Sequence, residues 1–263
     1  MRIESSSNGQ IKHVAALQKK AKYRKEQGSF VVEGIRMVLE APEERLETVY
    51  ASDSFLKQGG LEKLDGISFT EVSDQAFRAM ADTQTPQGVL AVVKTLDWQE
   101  EAFYTEKDAL LLVLENLQDP GNLGTILRAG EGAGVSGVIM SRETVDIYNP
   151  KVIRSTMGSI YRVPFVTAED LGTVLEGCRE HGIFSYAAHL EGSINYEAAD
   201  FRKPTAFLIG NEAAGLSDRI SAAADFLVRI PMKGSVESLN AAVAASIFMY
   251  ETARQRRAES VGI

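Results

Sequence analysis

The chain is poor in the residues that build covalent and metal chemistry. Its 263 residues include one cysteine, Cys178, and three histidines, His13, His181 and His189. A lone cysteine excludes an internal disulfide framework and suits a reducing cytoplasm. The histidines are not paired at ligand spacing, so no metal site is expected. No apolar run reaches the ~20 residues of a membrane span. The opening stretch, MRIESSSNGQIKHVAALQKK, lacks the apolar core of a secretory signal. A cytoplasmic protein without a membrane partner is therefore expected. No Gly-x-Ser-x-Gly elbow occurs. Gly132-x-Gly134-x-x-Gly137 has dinucleotide-loop spacing, but it falls at a helix end before a strand, the reverse of the required order. Gly210 to Gly215 has phosphate-loop spacing, but Leu216 stands where that loop needs lysine.

What is present is ordinary in amount and uneven in placement. Hydrophobic residues make up 44% and charged residues 24%, as in a globular protein large enough for one big domain or two modest ones. The net charge of −8 argues weakly against nucleic acid. Residues 1–25, however, hold seven basic residues against one acid, Glu4. Lys19, Lys20, Lys22, Arg24 and Lys25 cluster in a predicted helix over residues 10–27. Such a face either holds a polyanion or is simply a solvated helix surface.

Two α/β alternations follow one another. Residues 1–94 read as a compact unit, in which GSFVVEGIRMVLEA gives a strand, a glycine turn and a helix. The polar stretch 95–108 reads as a linker. Residues 109–263 supply strand candidates at 109–114, 137–140, 183–188, 206–209 and 226–230, with helices at 149–157, 171–181 and 240–256. That alternation implies a mainly parallel sheet with helices on both faces, and ligands at the carboxyl ends of its strands.

Three segments carry possible chemistry. In NLQDPGNLGTILRAG, Asp119 and Pro120 open a helix whose Leu123, Ile126, Leu127 and Ala133 form an apolar stripe. Arg128 then falls on the opposite, free face. In AFLIGNEAAGLSDRI, Asn211 and Glu212 follow a buried strand, where they are either a site or a helix cap. In VRIPMKGSVESLNAAVAASIFMYE, a loop leads to a helix opening near Ser238, with Ser238 and Asn240 as cap candidates and alanines allowing close packing.

Together these segments resemble the three motifs of the SpoU (TrmH-like) family of RNA 2′-O-ribose methyltransferases. The first is Asn116-x-x-Asp119-Pro120-x-Asn122-x-Gly124-x-Ile126-x-Arg128. The second is Gly210-x-Glu212-x-x-Gly215-Leu216. The third is Ile230-Pro231-Met232-x-Gly234-x-x-x-Ser238-Leu239-Asn240. NPKVIRSTMGSIYRVPF resembles the family's intervening segment, and the first unit resembles the small RNA-binding domain of its longer members. Ala129-Gly130 and Ala213-Ala214 depart from the more usual pairs at those positions.

The resemblance implies a C-terminal parallel-sheet domain over 109–263 with a trefoil knot, a smaller N-terminal α/β RNA-binding domain over 1–94, and a homodimer. It implies S-adenosylmethionine as methyl donor, held by Ile209, Gly210, Ile230, Met232 and Leu239. Gly210 would be required because a side chain there intrudes on the donor. Arg128, Asn122, Glu212, Ser238 and Asn240 would form the catalytic group, with Asn122 and Arg128 facing the acceptor ribose. Lys19, Lys20, Lys22, Arg24, Lys25 and Arg154 would hold RNA. The expected substrate is large-subunit ribosomal RNA. The alternatives are transfer RNA, methylation of a base, and an inactive ribosome-associated RNA-binding protein.

Overall fold

The structure is a computed structural model and describes residues 2–192 and 194–261. It divides into two compact units. One comprises Met1–Asp97 with Asp146–Tyr161, the other Trp98–Val145 with Arg162–Ile263.

The first unit is built on a five-stranded sheet of β1 (Arg2–Ile3), β2 (Ser29–Glu33), β3 (Leu46–Ser52), β4 (Phe69–Val72) and β5 (Val89–Lys94), in the order β1-β4-β3-β5-β2. β1, β4 and β3 run parallel, while β5 is antiparallel to both its neighbours. Ile11, Val14 and Leu17, at helical spacing, pack with Val31, Tyr50 and Phe77 in one core.

The predicted helix over 10–27 is two helices, Gly9–Lys19 and Ala21–Gln27, with Lys20 extended between them. Arg24 explains the break. Its Nη1 donates to the carbonyls of Leu17 and Gln18, the end of the first helix, at 2.6 and 3.1 Å. Its Nε and Nη2 grip the Asp146 carboxylate at 2.9 and 2.5 Å. Arg24 is thus 4% exposed, while Lys19, Lys20, Lys22 and Lys25 are exposed. The expectation that Arg24 holds RNA is corrected here, because its donors are spent inside the fold.

Residues 146–161, expected in the second domain, pack with the first unit for the same kind of reason. Asp146 meets Arg24, Tyr148 lies 4.6 Å from Phe30 ring to ring, and Tyr161 Oη donates to the Met37 carbonyl at 2.9 Å. The helix Pro150–Thr156 buries Val152 and Ile153.

The second unit carries seven parallel strands: β6 (Leu110–Leu114), β7 (Gly137–Met140), β8 (Phe165–Thr167), β9 (Phe184–Ala188), β10 (Ile194–Asn195), β11 (Thr205–Ile209) and β12 (Phe226–Arg229). Their order is β10-β12-β9-β11-β6-β7-β8. β6 and β11 are buried throughout, the unbroken apolar pattern of a covered parallel sheet. Side chains alternate between faces. Ala206 and Leu208 join the core formed with Leu171, Val174 and Cys178 of the helix Leu171–Glu180. Phe207 points the other way and stacks on Phe248 of the last helix, Ala241–Val261, at 5.1 Å.

The stretch expected as a linker contains the helix Glu101–Tyr104, with Phe103 in the core of this unit. The last helix is anchored by Arg256, which donates to the carbonyls of Asp108, Ala109, Phe201 and Lys203. It also packs on the helix Pro120–Ala133. The close approach comes from glycines on that partner as well as from its own Ala242 and Ala245. A Cβ on Gly132 would stand 2.6 Å from Tyr250 Oη. Among the described residues no helix is long and apolar enough to cross a membrane.

Arg24 and Lys20 should separate cleanly by substitution. Arg24→Ala removes the Arg24 donors from Asp146 Oδ2 and from two carbonyls, leaving the carboxylate with the Tyr148 N–H, and should cost about 2–4 kcal/mol in urea unfolding. Lys20→Ala, at an exposed site, should stay within about 0.5 kcal/mol of the parent. Equal stabilities for the two variants would refute the buried clamp.

Candidate active site

Parallel register puts three strand ends level. Leu114 of β6 pairs with Ile209 of β11 and with Met140 of β7. β9 and β12 end at the same edge, with Ala188 opposite Val228. The loops leaving β6, β9, β11 and β12 therefore converge at the carboxyl edge of the sheet, where open α/β sheets bind ligands.

A cavity of about 440 Å³ lies at this edge. Ile209, Ile230, Leu239 and Phe248 form apolar walls. Gly210, Glu212, Met232 and Ser238 also line it, so every expected donor-binding residue reaches one site. His189, Leu190 and Glu191 line it too. No motif marked them, but they directly follow β9, and the carboxyl-edge rule alone could have found them.

The loop after β11 folds on itself. Asn211 and Gly215 exchange backbone hydrogen bonds at 3.0 and 2.9 Å, and Asn211 Oδ1 accepts from the Ala213 and Ala214 N–H groups. Gly215 has a φ of +71°, which glycine adopts without strain. A Cβ on Gly210 would lie 2.1 Å from the Gly215 carbonyl carbon and 2.2 Å from Leu216 N. The requirement for glycine at 210 is thus set by this loop's own backbone.

The loop after β6 is held by Glu212. Its Oε2 accepts from the Gln118 N–H at 3.0 Å, and its Oε1 from the Asp119 N–H and from Asn122 Nδ2, both at 2.9 Å. Asn122 Oδ1 accepts in turn from Asn240 Nδ2 at 2.8 Å. Asn240 Oδ1 then caps the last helix, accepting from the Ala242 and Val243 N–H groups. The direction of this chain is forced. An ionised carboxylate only accepts, so Asn122 must turn its NH₂ to Glu212 and its oxygen to Asn240. Asn240 must then turn its NH₂ to Asn122 and its oxygen to the helix N-terminus. Glu212, Asn122 and Asn240, one from each segment, thus form a continuous brace.

Burial pushes the Glu212 carboxyl up, but the hydrogen bonds from Gln118, Asn122 and Asp119 outweigh it and hold the group below its ordinary value of 4.5. Glu115 makes a companion brace, accepting from Ser217 N and Oγ, each at 2.7 Å.

The expected catalytic residues do not all share the cavity. Asn122 is 8% exposed, and its amide joins the Glu212 carboxylate to Asn240. Asn122 and Asn240 line a neighbouring depression with Thr125, Val243, Ile247 and Tyr250. Ser238 caps nothing. The last helix opens at Ala241, and Ser238 is an exposed residue on the cavity lining. Arg128 stands on the exposed face of the helix Pro120–Ala133, as its spacing predicts. It is about 9 Å along the axis from Asn122 at 1.5 Å per residue. In the first unit, Arg154 pairs with Asp82 at 2.6 Å, and Lys22 lies 3.9 Å from Glu26. Among the described residues there is no group of three or more metal-ligating side chains.

Comparison with known proteins decides the family. The model of the SpoU rRNA methylase family matches residues 109–250. The chain belongs to the SpoU rRNA methylase family. An MRM3-like substrate-binding domain matches residues 8–91 of this SpoU-family chain. The chain is 32% identical to the Bacillus subtilis 23S rRNA (guanosine(2553)-2′-O)-methyltransferase RlmP, over 94% of this chain and 97% of the relative. It is 31% identical to the Streptomyces viridochromogenes 23S rRNA (uridine(2479)-2′-O)-methyltransferase, over 96% and 92%. The crystal structure of the SpoU methyltransferase AviRb from Streptomyces viridochromogenes in complex with AdoMet superposes with a TM-score of 0.86 at 31% identity, covering 95% of this chain and 98% of that one.

The SpoU brace has a defined pH dependence. A carboxyl whose folded pKa is depressed stabilises above its unfolded value, and that contribution is lost as pH falls through the folded one. Glu212→Gln keeps one acceptor oxygen for three donors. Its melting temperature should fall below the parent's at pH 7, and the gap should close only below pH 4.5, as Glu212 of the parent is protonated. A gap unchanged down to pH 3 would show that the carboxylate charge plays no part.

Proposed function

We propose that this chain transfers a methyl group from S-adenosylmethionine to a ribose 2′-hydroxyl of structured RNA, with large-subunit ribosomal RNA as the substrate. The observation that carries the reading is the Glu212–Asn122–Asn240 brace, which holds three loops beside one cavity at the carboxyl edge of the sheet. The two relatives named above, both 23S ribose methyltransferases, support the substrate class.

The cavity fits a nucleoside donor. Its volume lies within the roughly 300–1,000 Å³ of small-molecule sites. Ile209, Ile230 and Leu239 offer the apolar surface an adenine needs, and the backbone around Gly210 and Met232 offers hydrogen-bonding groups. Glu191 and Glu212 on the lining suit a cationic ligand. When bound, S-adenosylmethionine supplies a methyl group activated by its sulfonium.

The chain's own residues then align the acceptor. Positioning a nucleophile in line is a large part of such a displacement. Glu212, Asn122 and Asn240 are positioning residues in this scheme. Ser238 offers a hydroxyl from the cavity lining. Arg128, exposed and outside the brace, grips an RNA phosphate and stabilises the charge that develops on the ribose oxygen. A permanently charged guanidinium does this without taking the proton itself. The enzyme works in the cytoplasm as a homodimer. Exposed apolar side chains on the last helix, Val243 at 47% and Tyr250 at 49%, support pairing there. The trefoil knot belongs to the same reading.

Methyl incorporation into 23S RNA from tritiated donor tests the proposal, with Arg128 as the decisive residue. Arg128→Ala should retain the melting temperature and donor affinity while losing at least ~100-fold in methyl transfer, the scale of removing one electrostatic donor. Arg128→Lys should recover little, because a point charge lacks the planar fork. An alanine variant at full activity would make Arg128 a solvated surface residue.

The exposed lysines of the first unit serve RNA binding and take no part in that chemistry. Lys20, Lys22 and Lys25 changed together to Ala should lower RNA affinity and flatten its salt dependence by up to ~2 in the log–log slope, about 0.7 for each contact to single-stranded RNA. Donor affinity should not move. A parental slope would place the RNA on another surface.

A further inference from the structure

The first unit contains a cavity of its own, about 230 Å³ in volume. It is too small for a drug-sized ligand, which occupies roughly 300 Å³ or more. Its chemistry is unusual for a structural void. Glu33, at the end of β2, lines it. Thr83 Oγ1 donates to Glu33 Oε1, but Oε2 is buried and has no hydrogen-bond partner. A buried acceptor without a donor is costly and marks a place where a partner belongs.

The remaining lining is consistent with a planar base. Gln87 lies against the Gly34 turn, where a Cβ would meet its Oε1 at 3.0 Å. That oxygen accepts from the Ile35 N–H, which leaves Nε2 to donate. Met37 is buried and Met157 is 39% exposed, offering two polarizable thioethers suited to the edge or face of a ring. Arg36 and Arg154 complete the lining, paired with Glu40 and Asp82 in partly exposed ion pairs. Such pairs contribute little and can be exchanged for phosphate.

We propose that this cavity takes one unstacked guanine base of the RNA substrate, with Glu33 accepting from its Watson–Crick edge and Gln87 donating to its carbonyl. Guanine alone of the four bases presents two adjacent N–H donors, N1 and N2, beside a carbonyl. Adenine and cytosine place an acceptor next to their amine, and uracil flanks its single N–H with two carbonyls, so each would set a lone pair against the carboxylate. Single-stranded bases read on this edge are the usual basis of sequence-specific RNA recognition. The proposal rests on the reading of this protein as an RNA methyltransferase, and adds where and how a base is chosen.

The test uses the full chain without donor and three labelled nine-nucleotide RNAs, r(UUUUGUUUU), r(UUUUAUUUU) and the same sequence with inosine at the centre. Fluorescence anisotropy should show the guanine RNA bound about tenfold more tightly than the adenine RNA, the scale of one bidentate base contact. Inosine, which lacks the exocyclic amine, should fall between them. Glu33→Gln should abolish the preference while leaving the melting temperature and S-adenosylmethionine affinity as in the parent. Equal binding of the three RNAs by the parent, or a preference that survives Glu33→Gln, overturns the assignment. Because binding is read without methyl transfer, the two readings fail separately. A protein that methylates RNA but ignores guanine loses only this site, whereas one that selects guanine but transfers no methyl loses the proposed activity.

Discussion

The Asn122 side chain is the joint on which the candidate active site depends. It spans 90 positions of sequence to Glu212 and 118 to Asn240. A single amide, buried and oriented by a carboxylate that can only accept, fixes which way each partner points. That order passes from the Glu212 loop through the helix Pro120–Ala133 to the cap of the last helix. The low exposure of Asn122 matters as much as its chemistry, because a buried amide with both ends satisfied is costly to disturb.

The sheet makes this joint possible. Level strand ends at Leu114, Ile209 and Met140 deliver their loops to one edge, and a slip in register would carry the loops apart. Close approach then needs small residues where backbone meets backbone. Gly210 faces the Gly215–Leu216 peptide, and Gly132 faces Tyr250. In a SpoU-family protein the motif glycine at 210 thus shapes the loop that in turn shapes the cavity.

Basic residues that look alike in the sequence divide by environment. Lys19, Lys20, Lys22 and Lys25 keep their charge in solvent, whereas Arg24 beside them ties a helix end to Asp146. Arginine suits the second task because its planar fork can serve a carboxylate and two carbonyls at once. Arg154 falls between these cases, since its exposed pair with Asp82 leaves it at the rim of the Glu33 cavity.

Periodicity by itself determined the α/β class, the parallel second sheet and the exposed face of Arg128, and the resemblance to the SpoU motifs marked residues that line the cavity at the sheet edge. These features are local. A strand's apolar run, a helix's free face and the loop after a strand are set by neighbours in the chain. Only the tertiary structure decided the rest. It took Arg24 out of the basic surface, drew residues 146–161 into the first unit, and joined Asn122 to Glu212 and Asn240 in a brace. It also brought His189 and Glu191 to the cavity and left a Glu33 oxygen buried without a donor. Each of these depends on a partner tens of residues away or more, or on the lack of one, and long-range pairing of this kind leaves no periodic trace in a single sequence.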